Sequence, residues 1–212
     1  VTFYRFARAL VLSFCKVVFR VHVVGRERVP PSGAYIVAPS HRSVFDVPFA
    51  AFITRRSIRF LAKEELFATP VTKWFFTALG AIPVERGTAD RGALRALEGA
   101  LARGHPVAVF PEGTRRSGPE VGELFDGAAY LAVKLGVPIV PVGIGGSESI
   151  LAKGRKIPRI RRVVVSVGRP LYPPTPAGRG RRSAAAKLTA QLHDELQRAF
   201  DDAGRLSGER ID

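Results

Sequence analysis

Apolar residues fall along this chain in short dense runs separated by polar, glycine-rich and proline-rich punctuation. Ala34-Tyr35-Ile36-Val37-Ala38-Pro39 is continuous enough to read as a buried strand, and similar runs predict strands at 58–62, 80–86, 106–110, 137–142 and 163–167. Between them the spacing predicts helices. One covers Asp46 to Ile53, and one is capped by Thr88 and closed by Gly104, with Leu94, Leu97 and Leu101 on a stripe. Another covers 127–135 and ends at Gly136, and a last one covers 184–203 with Leu188, Leu192, Leu196 and Phe200 aligned. Strands alternating with helices predict an α/β fold, a single domain whose central, largely parallel mixed sheet is flanked by helices. In such a sheet functional loops gather at the carboxyl ends of the strands. Pro138 and Pro141 predict an edge or irregular position for the 137–142 strand, and 143–149 reads as a loop. The run containing Trp74-Phe75-Phe76 is either core or a lipid-facing surface.

The first 24 residues carry Arg5, Arg8, Lys16 and Arg20 interleaved with Phe3, Tyr4, Phe6, Leu10, Phe14 and Phe19. That mixture predicts an amphipathic helix in a membrane interface, aromatics toward lipid and cations toward headgroups; packing on the domain's own core is the other reading. No apolar stretch reaches the roughly 18–20 residues of a transmembrane helix, and no small-residue cleavage pattern marks a signal peptide. The chain accordingly divides into an N-terminal membrane-associating helix (1–24), a core (25–170), and a linker with a C-terminal amphipathic helix packing on that core (171–212). His193 falls beside the helix stripe, as a surface residue.

Charge changes the picture further. Against 18 acidic residues stand 33 Lys and Arg, a formal +15, which favours anionic partners: acidic lipid headgroups, phosphorylated small molecules or nucleic acid. A single cysteine, Cys15, excludes a disulfide framework and any Cys-rich zinc site.

The candidate chemistry begins where the first strand ends, at Ser40-His41-Arg42-Ser43-Val44-Phe45-Asp46. A carboxylate five residues beyond a histidine can hold one ring nitrogen while the other removes a proton. On one helix that spacing would separate the side chains around the axis, so the pair requires a loop-to-helix junction. The same residues also fit a capping box from Ser43 to Asp46, and the two roles are compatible. Arg86 ends a strand just before a helix N-terminus, a position favourable to an anion or simply a solvated charge. Phe110-Pro111-Glu112-Gly113-Thr114-Arg115-Arg116-Ser117 follows another strand. Its glycine-permitted turn, with donors from Thr114, Arg115 and Arg116, reads either as a phosphate or carboxylate cradle or as a plain turn with charged tips. His41, Arg86 and Glu112 each follow a predicted strand, so one shared face is expected.

Together these blocks resemble the PlsC-like glycerolipid acyltransferases, which include 1-acylglycerol-3-phosphate acyltransferases. The resemblance rests on His41-x4-Asp46, Gly80 with Val84 and Arg86, Phe110-Pro-Glu-Gly-Thr-Arg115 with Arg116 inserted before Ser117, and Val137-Pro-Ile-Val-Pro-Val142, in that order. It implies acyl transfer from acyl-CoA or acyl carrier protein to a hydroxyl of 1-acylglycerol-3-phosphate, giving phosphatidic acid. His41 would be the general base and Asp46 its orienting partner. Arg86, Glu112, Gly113, Thr114 and Arg115 would bind the acceptor phosphate, and Ser40 and Ser43 would support the base. No metal and no cofactor beyond the acyl carrier is expected. The expected location is peripheral, on anionic lipid at the cytoplasmic face of the plasma membrane. Ser40 stands where the family usually has asparagine, and Leu124-Phe125-Asp126-Gly127 lacks the usual lysine. Glycerol-3-phosphate or another lysophospholipid therefore stands beside lysophosphatidic acid as acceptor.

Two rivals fit less well. A hydrolase would need a nucleophile elbow, and Gly145-Gly146-Ser147-Glu148-Ser149 fails that pattern at its last position; Cys15 has no histidine-bearing loop expected near it. A nucleic-acid-binding module would use the basic run from Lys153 to Arg162, but no recognition helix or aromatic stacking platform accompanies it. No nucleic acid is expected as a partner.

Overall fold

The structure, a computed structural model, describes residues 2–84, 91–150, 159–174 and 180–208. Its centre is a seven-stranded sheet in the order β1-β7-β6-β2-β5-β3-β4. The strands are β1 (His22–Val24), β2 (Ile36–Pro39), β3 (Arg59–Lys63), β4 (Ala81–Val84), β5 (Val107–Ala108), β6 (Ile139–Gly145) and β7 (Val164–Val167). From β6 through β2, β5 and β3 to β4 every pairing is parallel, whereas β7 lies antiparallel to β6 and β1 follows β7. This is the largely parallel, mixed α/β sheet that the alternating pattern predicts.

Both faces are covered, which is why the central strands are apolar at every position rather than at alternate ones. Tyr35 and Val37 point to one face, where they meet Cys15 of α1 (Thr2–Val18), Phe19 just beyond its end and Phe49 of α2 (Asp46–Ala50). Ile36 and Ala38 point to the other. There they meet Leu97 and Leu101 of α4 (Arg91–Ala102), Leu131 of α5 (Gly127–Leu135), and Leu188 and Leu192 of α6 (Arg181–Ser207). Helix α3 (Pro70–Ala78) begins with a Thr69–Thr72 capping box and a proline in its first turn.

Three expectations change. β6 is not an edge strand: it is buried along its whole length between β7 and β2. Its proline is tolerated because Pro141 lies one residue before the antiparallel ladder, which begins at Val142, and contributes its carbonyl, which accepts from Gly168 N–H at 2.9 Å. Nor is 143–149 all loop, since Gly143 and Gly145 continue β6. A Cβ on Gly143 would sit 2.1 Å from the Ala199 backbone, and one on Gly145 2.3 Å from that of Ala203, so α6 packs directly on the strand. The N-terminal segment, finally, is not helical through residue 24. α1 ends at Val18, and His22–Val24 pair in register with Val164–Ser166 as an edge strand.

Candidate active site

β2 delivers His41 into a tight turn that feeds α2. The turn is organised by one oxygen: Oδ2 of Asp46 accepts from the backbone N–H groups of Arg42 and Ser43, each at 2.6 Å, and lies 3.2 Å from His41 Nδ1. The Asp46 side chain is fully buried and that of His41 is 14% exposed. Orientation of the imidazole and support of the helix entry thus come from the same carboxylate. Only half of the capping box forms, because Ser43 Oγ accepts from Phe45 N–H at 3.4 Å instead of from residue 46. The hydroxyl of Ser40 is buried and accepts from Ile144 N–H at 3.0 Å, tying the end of β2 to β6.

The 110–116 loop after β5 closes on His41 from the other side. The Phe110 ring lies 4.2 Å from the imidazole, centroid to centroid. Glu112 Oε1 accepts from His41 N–H at 3.0 Å, and the His41 carbonyl accepts from Arg116 N–H at 2.8 Å. Glu112 corrects an expectation. Rather than facing a ligand it is fully buried, and its oxygens accept from His41 N–H, from Gly122 N–H and, at 3.0 Å each, from Arg42 Nη1. A carboxylate so enclosed, with a negative charge of its own, cannot be a phosphate contact. Gly113 adopts φ 66°, where a Cβ would meet the Phe125 ring at 2.7 Å, so glycine is required by the turn. Three of the turn's amides are spent as well: Gly113 N–H donates to Phe110 O, Thr114 N–H to Glu112 O and Arg116 N–H to His41 O. Thr114 and Arg115 remain exposed. Arg86 lies outside the described residues.

His41 opens onto a cavity of about 430 Å³ between α1, α2, β3 and α3. Its walls are mostly aliphatic and aromatic, among them Val11, Leu12, Phe60, Phe75 and Phe76, while Lys63 and Arg115 supply cations. Lys63 and the cavity itself are absent from the sequence-based expectations, because contributions from separate elements leave no local pattern. Lys63 also pairs with Glu65. Arg8, expected among headgroups, instead lines this cavity and donates through Nη2 to the carbonyls of Ala51 (2.7 Å) and Thr54 (2.5 Å). The nucleophile rivals fail on burial. Ser147 is fully buried, and Cys15 is 3% exposed with burial pushing its thiol pKa up.

With this geometry in place, residues 20–145 match the model of the Acyltransferase family. The chain belongs to that family. Other acyltransferases resemble it along most of its length. It is 30% identical over 183 residues to a 1-acyl-sn-glycerol-3-phosphate acyltransferase of Chlamydomonas reinhardtii, covering 84% of this chain and 54% of that protein. To the 1-acyl-sn-glycerol-3-phosphate acyltransferase of Bacillus subtilis it is 26% identical over 178 residues, covering 84% and 86%. The chain spans about half the length of the algal relative. Among solved structures, the crystal structure of the 1-acyl-sn-glycerophosphate acyltransferase PlsC from Thermotoga maritima superposes with a TM-score of 0.66 at 28% identity, covering 88% of this chain and 78% of that one.

Proposed function

We propose that this acyltransferase moves a fatty acyl chain from acyl-CoA or acyl carrier protein to the free hydroxyl of a 1-acylglycerol-3-phosphate, making phosphatidic acid. The observation that carries the reading is an imidazole held through Nδ1 by a buried carboxylate at the mouth of an apolar cavity whose wall carries the cations Arg8, Lys63 and Arg115. An apolar cavity suits a fatty chain, and the cations Lys63 and Arg115 suit the acceptor phosphate. The names of the relatives point to the same acceptor.

In the proposed reaction the Nε2 of His41 takes the hydroxyl proton as the oxygen attacks the thioester carbonyl. The tetrahedral adduct collapses by breaking the carbon–sulfur bond, and the proton passes to the departing thiolate. Asp46 holds the ring in orientation and stabilises the transient imidazolium. Holding donor and acceptor against one base supplies much of the acceleration.

The substrates are lipids, and the protein's outer surface is consistent with work at a bilayer. Phe6, Leu10, Phe14 and Val17 form a stripe along α1 that is 60–78% exposed, and Val71 and Trp74 of α3 are 74% and 54% exposed. Phe19 is turned into the core instead, against Phe45 and Phe49. Among the described residues no helix is long and apolar enough to cross a membrane. We therefore propose peripheral attachment through α1 and α3, at the cytoplasmic face of the plasma membrane and favoured by anionic lipid. Incubating the purified chain with oleoyl-CoA and 1-oleoylglycerol-3-phosphate tests the activity. Phosphatidic acid is expected; release of oleic acid without it would favour the hydrolase.

A further inference from the structure

The Arg42–Glu112 pair is an unusual investment for a loop next to an open cavity. Its side chains are 1% and 0% exposed, and such a pair rarely stabilises a fold more than apolar residues of similar size would. Its connections suggest another purpose. Arg42 Nη1 meets both Glu112 oxygens at 3.0 Å, Nη2 donates to the Glu120 carbonyl at 2.8 Å and Nε to that of Gly118 at 3.3 Å. Behind the guanidinium, 4.6 Å away, lies the Phe200 ring of α6. The same helix holds the 118–122 segment again through Gln197, whose Oε1 accepts from Val121 N–H at 2.7 Å and whose Nε2 donates to the Pro119 carbonyl at 3.1 Å. His193 adds a contact between Nε2 and the Val121 carbonyl at 3.1 Å.

From α6 a continuous chain of contacts therefore runs through Arg42 to Glu112, and from Glu112 to the main-chain N–H of His41. Asp46 fixes the rotation of the imidazole; Glu112 and Arg116 fix the backbone from which the ring projects. We propose that Glu112, Arg42 and Phe200 are positioning residues for the general base, so that the C-terminal helix, without touching substrate, sets the turnover rate. This rests on the reading of His41 as the base. A displacement of about 1 Å in a catalytic group can cost roughly a hundredfold in rate, and the 110–116 loop holds both the N–H and the carbonyl of His41.

The test removes both charges together, so that no lone charge is left buried. Arg42→Met/Glu112→Leu lacks the acceptor for His41 N–H, whereas Arg42→Met/Glu112→Gln restores a carbonyl oxygen at that place. With oleoyl-CoA and 1-oleoylglycerol-3-phosphate, the leucine pair is expected to lower kcat about a hundredfold with both KM values little changed, and the glutamine pair to recover part of the loss, the remaining deficit being the share carried by the Arg42 guanidinium. Phe200→Leu is expected to lower kcat in the same way by a smaller factor. The NMR signals of the His41 imidazole in histidine-labelled protein give a readout independent of activity. They are expected to shift or broaden in the leucine pair and in Phe200→Leu, and to return part-way in the glutamine pair. Wild-type kcat and an unmoved His41 signal in a folded leucine pair would overturn the proposal. If that pair does not fold, Phe200→Leu decides by the same two criteria. An inactive wild type whose His41 signals respond as described would refute the acyl-transfer reading and leave the positioning intact.

Discussion

Oδ2 of Asp46 approaches the main chain more closely than it approaches the ring of His41: 2.6 Å to the N–H of Arg42, against 3.2 Å to Nδ1. The carboxylate therefore has two separable duties. Asp46→Asn can keep an oxygen toward the amides while losing the charge that stabilises an imidazolium. It is expected to cut kcat by about 10²–10⁴-fold with only a small drop in Tm. Asp46→Ala leaves two buried N–H groups without a partner and is expected to cost about 1–3 kcal/mol per group in stability as well. Urea unfolding beside steady-state kinetics separates the two. An Asn variant that loses stability but not turnover would reduce Asp46 to a helix-entry residue.

Lys63, at the end of β3, and Arg115, in the loop after β5, reach the same cavity. Each alanine variant is expected to raise KM for the acylglycerol phosphate about tenfold or more, with KM for oleoyl-CoA unchanged, as lost ground-state binding requires. An increase confined to the thioester would move both residues to the donor side.

The α1 stripe supplies a binding prediction. Phe14→Glu replaces a residue 60% exposed and should leave the fold intact. It is expected to abolish flotation with vesicles containing phosphatidylglycerol, while the wild type floats. Equal flotation of the two would remove α1 from the membrane contact.

Glu195 of α6 gives a pH dependence. A hydrogen bond from Arg169, 2.6 Å from Oε1, holds its carboxyl below the usual carboxylate range, with burial opposing. Because the folded-state pKa lies below the unfolded one, the interaction stabilises the protein fully above the unfolded carboxylate's pKa and fades as pH falls through the folded value. Glu195→Gln should therefore lower Tm at pH 7, and the gap to the wild type should close at pH values below about 4. A gap that stays constant into acid would show that packing, not charge, is at work.

The sheet and the base were legible because both are written locally. Buried parallel strands appear as unbroken apolar runs, and His41 and Asp46 sit five positions apart across one turn. What lies across the chain was not legible. A three-residue strand such as His22–Val24 is too short to carry a period. Pro141 looked like an edge marker because only the pairing on either side reveals that its missing N–H falls outside the ladder. The motif containing Glu112 identifies a carboxylate near the base, but its direction depends on Arg42, seventy positions away. Gly143 and Gly145 suggested a loop; the reason for glycine there is the backbone of α6 lying against the strand.

The most direct measurement compares phosphatidic acid formation from oleoyl-CoA and 1-oleoylglycerol-3-phosphate by wild-type protein and by His41→Ala, at matched Tm. The wild type should form the product, and the variant should lose it by about 10²–10⁴-fold or more with its fold unchanged. Undiminished product from a folded His41→Ala protein would contradict the assignment of the imidazole as the base.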